Sequence, residues 1–424
     1  MSVNPETYTA EPLAYTEAGL VAAELSERRA MLDERFNGLE GYDIGEVRLV
    51  ELADLPNGCK SAVLDISDHP GGAFKYASAL GADLTLPEGT TTVAMMSAGN
   101  YASTQAQACK RLGLHGVAYM PANCNPTKKQ SILDNGMDVV DTFDDVEAAL
   151  PAAREAAAEN EGWAFVHAYD SPNGIAALTV LADQVADELQ ALQVEGRVNL
   201  DDYQVDLLVQ RGGGSLLAAM ATRVKQLKDA GVLPAQVVVH DIRPERLEDG
   251  SLDSDFDGLK VNEPGSYAAA LLQEPEYVAG SHTVSRQEVA AATRHLSGLT
   301  DVAYETNALA GMAAARRLAE QAEKPTLFVS LLTGRNVDPE QMDAFLKTEA
   351  EPVVSSGQVA TFAGGVALRA VAEEPYRPDP GLQDLYYDQL EKWGVVLVRR
   401  TGQLAAARST SVWSGPTHGV RRYA

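Results

Sequence analysis

The chain has 424 residues, 45% of them hydrophobic, with 60 acidic against 34 basic side chains and a formal charge of −26. That length allows two or three domains with substantial cores, and that charge repels nucleic-acid backbones and anionic membranes, so no nucleic acid and no membrane is expected as a partner. No stretch nears the roughly 20 apolar residues that span a bilayer and no basic-then-apolar leader opens the chain, so a cytoplasmic protein is expected.

In chain order, residues 1–44 read as a polar N-terminal arm with a helix from Glu17 to Phe36. Val47 to Leu52 and Ser61 to Asp65 alternate like short strands around the Pro56-Asn57-Gly58 turn. From Thr91 to His167 strands and helices take turns, which implies a parallel sheet with crossover helices. A long helix from Gly174 to Leu192 leads to the strand Val205 to Val209, the helix Leu216 to Ala230 and the strand Gln236 to His240. Residues 243–284, rich in Asp, Gly, Glu and Pro, read as a long loop. Helices at Arg286 to Leu296 and Thr306 to Ala322 precede the strand Thr326 to Leu332. Beyond Asp338 the pattern weakens, with a helix at Asp384 to Trp393, a strand at Gly394 to Arg399 and a tail from Gln403. Three cysteines, Cys59, Cys109 and Cys124, form no Cys-x-x-Cys pair, and seven histidines are dispersed, so no metal site is expected.

One lysine stands apart. Lys75 follows Gly71-Gly72-Ala73-Phe74 in an apolar run, where a solvated cation gains nothing. It reads either as a snorkelling side chain with its ammonium in water or as a desolvated amine able to act as a nucleophile or Schiff-base partner. Three loops sit where a strand gives way to a helix or turn, the place where doubly wound sheets bind ligands. Gly212-Gly213-Gly214-Ser215 is the strongest, since glycines let several backbone N–H groups face one anion at a helix N-terminus. Ser97-Ala98-Gly99-Asn100 is either a helix cap or a polar loop. Thr333-Gly334-Arg335-Asn336 places a hydroxyl after an apolar strand, as an ordinary turn also would.

Taken together and in this order, the segments resemble the fold-type-II pyridoxal-phosphate enzymes, the tryptophan synthase beta-like family, and within it the threonine/serine dehydratases. Gly72 to Lys75 is similar to the family's Schiff-base lysine motif, 97–100 to its asparagine loop, Gly212 to Leu216 to its glycine-rich phosphate loop, and 333–336 to its Ser-Gly-Gly-Asn turn. The resemblance runs from about residue 45 to 340. It implies pyridoxal 5'-phosphate as cofactor and an α/β architecture of two open domains with the cofactor between them. Lys75 would hold the cofactor and move the substrate Cα proton, Asn100 would face the 3'-oxygen, and Gly212, Gly213, Gly214 and Ser215 would take the phosphate. Thr333 would face the pyridine nitrogen, and Ser97, Ala98, Gly99 and Asn100 would meet the substrate carboxylate.

The resemblance further implies a large domain at 45–84 and 180–340, a small one at 85–179, a C-terminal extension at 341–424 and a homodimer. The expected activity is β-elimination from a small, threonine- or serine-like amino acid, giving a 2-oxo acid and ammonia. β-Replacement or threonine-synthase-like chemistry, and cofactor binding without turnover, are the alternatives. Several positions depart from the family: Ser215 replaces a glycine, Gln210-Arg211 stand where apolar residues are usual, Ala77-Ser78 replace Arg-Gly, and Tyr101 replaces histidine. These departures bear on the substrate more than on the cofactor.

Overall fold

The strands that carry the three loops come from distant parts of the chain and meet in two sheets. The computed structural model describes residues 18–39, 45–97, 99–124, 126–348, 395–400 and 403–408. After α1 (Ala18–Asn37), β1 (Arg48–Asp54) runs antiparallel to β2 (Lys60–Asp65), and α2 (Lys75–Asp83) follows. Then come β3 (Thr92–Met96), α3 (Asn100–Leu112), β4 (His115–Pro121), α4 (Pro126–Asp134), β5 (Asp138–Phe143), α5 (Val146–Glu159) and β6 (Trp163–Val166). Their four strands form a parallel sheet in the order β5-β4-β3-β6.

The chain continues through α6 (Pro172–Val194), β7 (Gln204–Gln210), α7 (Ser215–Asp229), β8 (Val237–Pro244), α8 (Ser266–Leu271) and β9 (Gly280–Val284). Next are α9 (Arg286–Ser297), α10 (Ala310–Gln321), β10 (Thr326–Leu332) and α11 (Pro339–Thr348). The second sheet has the order β1-β2-β10-β7-β8-β9, parallel except for β1. Every residue of β3 and of β10 is buried. Strands covered on both faces by crossover helices read as continuous apolar runs, as these do. Separately, β11 (Val395–Arg400) and β12 (Gln403–Arg408) pair as an antiparallel hairpin.

Small residues bring the helices of the second sheet close. A Cβ on Gly81 of α2 would lie 2.3 Å from Ala177 Cβ of α6, and one on Gly174 would lie 2.6 Å from Ser78 Oγ. α1 lies along α6, where Arg28 Nη1 donates to Asn173 Oδ1 at 2.8 Å and Arg29 Nη1 to Thr179 Oγ1 at 2.8 Å.

Two expectations change. Residues 243–284 are not one loop, because α8 packs on α7 and β9 forms the far edge of the sheet. With only five residues and an alternating half-exposed pattern, β9 has too weak a periodicity to stand out from its polar flanks. Residues 403–408 are a strand and not tail, since they find a partner in β11. The helix expected at Asp384 to Trp393 falls outside the described residues. No described helix is long and apolar enough to cross a membrane.

Between α2 and α3 lies a buried acid. Asp83, 5% exposed, accepts from Gln105 Nε2 at 2.7 and 2.6 Å. Burial pushes its pKa up to about 7, against the pull of Gln105 and Cys109. Its folded-state value exceeds the unfolded one near 3.9, so the native state holds this proton more tightly. The stability it contributes is full below about pH 4 and is lost as pH rises through about 7. Asp83→Asn should therefore melt above wild type at pH 8 and converge with it, or fall below, at pH 4. Parallel melting curves across that range would exclude the assignment.

Candidate active site

Lys75 reaches its place through a turn that only glycine accommodates. Gly71 and Gly72 both have positive φ, at 83° and 69°, and a Cβ on Gly72 would sit 2.4 Å from Asn336 Oδ1. The turn is fastened to the segment after β10: Phe74 N donates to Thr333 O at 3.2 Å and Arg335 N to Gly72 O at 2.9 Å. Arg335 adds Nη2 to Asp65 Oδ2 at 2.9 Å, Nη1 to Asp68 Oδ1 at 3.1 Å and Nε to Ser67 Oγ at 3.1 Å. Lys75 is thus held as the first residue of α2. Its side chain is half-buried, and among the described residues its ammonium has no hydrogen-bond or ion-pair partner. Desolvation lowers its pKa, while the charges of Glu305 and Asp257 push it back up and Lys128 lowers it further.

The asparagine loop leaves β3 and enters α3. Gly99, not Ser97 or Asn100, is the cap of α3, and no side chain caps it. Ser97 Oγ accepts from Gly99 N at 3.2 Å. Asn100 turns away from the helix end, giving its Nδ2 to Glu305 Oε1 and Oε2 at 2.8 and 3.0 Å and receiving Asn336 Nδ2 at 3.0 Å. Ala98 lies outside the described residues.

Between β7 and α7, residues 212–215 are buried. Among the described residues none accepts a hydrogen bond from the N–H groups of Gly212, Gly213, Gly214 or Ser215. Four buried, undonated N–H groups at a helix N-terminus have the chemistry an anion requires. Gly214 caps α7 at φ 95°. A Cβ on Gly213 would lie 2.1 Å from Tyr169 Cγ, so Gly213→Ala should destabilise the fold by about 1–3 kcal/mol through overpacking and weaken phosphate binding. Urea unfolding and a fluorescence titration check the two effects separately.

Lys75, Ser97, Gly99, Asn100, Gly212 to Ser215 and Thr333 all line one cavity of about 530 Å³. The structure therefore brings together every described residue that the resemblance assigns to the cofactor or the substrate. Tyr76, Ala77 and Ser78 are absent from its wall, being buried against neighbouring helices, so that departure from the family does not face the cavity. Tyr101 does line it, with its hydroxyl buried and without a partner among the described residues.

Comparison with known proteins gives the family. The sequence model of a family described as pyridoxal-phosphate dependent enzyme matches residues 42–334. The chain belongs to that family. L-Threonine ammonia-lyase of Geobacter sulfurreducens is 28% identical over 278 residues, covering 63% of this chain and 65% of that protein. The biosynthetic L-threonine dehydratase of Corynebacterium glutamicum is 26% identical over 244 residues, 55% of this chain and 53% of its own length. The chain thus spans about half to two-thirds of these curated relatives. A processed threonine deaminase isoform from Solanum lycopersicum superposes with TM-score 0.59 at 19% identity, over 75% of this chain and 88% of that one, and shows the fold.

The cofactor of this pyridoxal-phosphate enzyme is pyridoxal 5'-phosphate, and the residues fit it: an unpartnered amine for the aldehyde carbon and free N–H groups for the phosphate. The sequence reading missed the carboxylates around the amine. Glu305, 6% exposed, accepts from Asn100 and from Asn336 N at 2.9 Å, and burial raises its pKa against the pull of Lys128. Asp257 pairs with Lys128 of α4 and accepts from Asn307 Nδ2 at 2.7 Å. Burial alone would raise its pKa, but Lys128 and Asn307 outweigh that and hold it low. The only local signal was Glu305-Thr306-Asn307, a polar triplet ahead of an alanine-rich run. The first turn there, Thr306–Leu309, is 3₁₀ and not α-helix as expected, and Glu305 and Asn307 line the cavity.

Proposed function

We propose that the chain is a lyase that eliminates the β-hydroxyl of a small amino acid of the serine or threonine kind, releasing a 2-oxo acid and ammonia. The observation that carries this is one cavity joining an unpartnered, desolvated lysine to an anion cradle and to a hydroxyl, not a carboxylate, at Thr333. The cofactor supplies an electron sink for the bond broken at Cα. Lys75 would hold it through Nζ and, once the substrate's amino group has displaced that nitrogen, would accept the Cα proton there, its lowered pKa keeping a fraction of the freed amine neutral. The N–H groups of 212–215 bind the phosphate, Asn100 meets the 3'-oxygen and Thr333 meets the ring nitrogen. Ser97, Ala98, Gly99 and Asn100 receive the substrate carboxylate at the start of α3. Loss of the Cα proton and of the β-hydroxyl as water leaves an enamine, which hydrolyses to the 2-oxo acid and ammonia. A ring nitrogen paired to a hydroxyl withdraws fewer electrons than one paired to a carboxylate, which suits prompt release of the β-substituent.

The test is a screen of L- and D-amino acids with the reconstituted protein for release of oxo acid and ammonia. Serine or threonine should give both products. Cofactor binding without oxo acid from any amino acid would sink the proposal, and a new amino acid formed when a thiol is supplied would replace it with β-replacement.

A further inference from the structure

We infer that Gln210 is a positioning residue: it fixes the Thr333 hydroxyl as a hydrogen-bond donor toward the ring nitrogen of the cofactor. The inference rests on the reading of Thr333 above and goes beyond it by naming what sets the direction of that hydroxyl.

Gln210 ends β7 and Thr333 follows β10, the neighbouring parallel strand. Both side chains are buried and both residues line the cavity. Gln210 Nε2 lies 2.6 Å from Leu331 O, 3.1 Å from Ala308 O and 3.2 Å from Thr333 Oγ1. Turning the amide over would set its oxygen against two carbonyl oxygens, so the nitrogen must face this way. An amide nitrogen only donates, and its two hydrogens are shared among the three acceptors. Thr333 Oγ1 is therefore a receiver on this side.

A hydroxyl has one hydrogen to give. Among the described residues nothing accepts it from Thr333, and the cavity is where it can go. The other end of Gln210 points to the same purpose. Its Oε1 is buried with no partner, a standing cost that an apolar side chain would avoid. The side chain is thus placed for its nitrogen, which ties β7, β10 and the Thr306–Leu309 turn together, occupies one lone pair of Thr333 Oγ1 and leaves the hydroxyl hydrogen to be given outward. A donor suits an unprotonated ring nitrogen and disfavours a protonated one.

The test uses the holoprotein reconstituted with pyridoxal phosphate isotope-labelled at its ring nitrogen, whose NMR shift reports protonation. Wild type should show an unprotonated nitrogen at neutral pH. Gln210→Met should move the signal toward the protonated position and weaken cofactor binding about tenfold, the worth of one hydrogen bond. In a Thr333→Val background the same change should add nothing to the shift, because Gln210 acts through Thr333. If Gln210→Met fails to fold, Gln210→Asn, whose shorter side chain withdraws the amide from Thr333, takes its place. A protonated nitrogen in wild type overturns the inference alone, as does a shift of equal size in both backgrounds. Failure of wild type to bind the cofactor overturns the functional reading and this inference together.

Discussion

Lys75→Met is expected to erase the absorbance band of lysine-bound pyridoxal phosphate and to cut oxo-acid release by at least about 10²–10⁴-fold, the contribution of a positioned base, while raising the Tm of the cofactor-free protein. The first two effects follow from losing the group that both holds the cofactor and takes the Cα proton in the proposed reaction. The third follows from burial, which lowers the pKa of Lys75 despite the nearby charges of Glu305 and Asp257. A lysine whose folded-state pKa is lowered binds fewer protons folded than unfolded, so it opposes folding at neutral pH. That penalty fades as pH climbs through the folded value toward the unfolded one, about 10.4. The Tm advantage of the variant should shrink over the same climb. A variant that melts below wild type at pH 7 contradicts the desolvated amine, and one that keeps the absorbance band removes Lys75 from the cofactor.

Asp241→Ala should cost about 3–5 kcal/mol of stability, the penalty for leaving its partner's charge buried and alone. Arg211, 6% exposed, gives its Nε to Asp241 Oδ1 at 2.9 Å, and Asp241 is fully buried. Ser281 Oγ donates to the other oxygen at 3.1 Å, and Arg243 Nε lies 3.4 Å from it. Arg211 is the residue immediately before the phosphate loop, so the same substitution should weaken cofactor binding. Combining Arg211→Met with Asp241→Leu should recover most of the loss, since an apolar pair leaves no charge behind. Urea unfolding midpoints decide it: a single variant unfolding with wild type would show that the pair contributes nothing.

The loops that build the site were legible because each is marked locally. Glycines precede Lys75, three glycines precede α7, and each loop closes an apolar strand. What those loops reach was not legible. Glu305 is one acidic residue among 60 Asp and Glu, and only the fold sets it against Asn100. Gln210 read as a departure from an apolar position, yet its three acceptors lie on β10, just after it and in the turn before α10, about a hundred residues away in sequence. Arg335 looked like part of a turn, while its guanidinium gathers Ser67, Asp68 and Asp65 from beside β2. Side chains that act across the sheet carry no signature in their own neighbourhood.

The place of β10 sets an order of assembly. Strands β3 to β6 are contiguous in the chain, so their sheet can close as soon as residue 166 is made. The larger sheet cannot, because β10, the last of its strands in sequence, lies between β2 and β7. Until it enters, β1–β2 and β7–β8–β9 are two separate ribbons with unpaired inner edges, the kind of exposed edge that invites aggregation and slows folding. Thr333 and the turn that fastens Lys75 come directly after it, so a growing polypeptide has no complete cofactor site until this strand has been translated and threaded between its neighbours. Newly made chains would then be able to take up the cofactor only once β10 is in place.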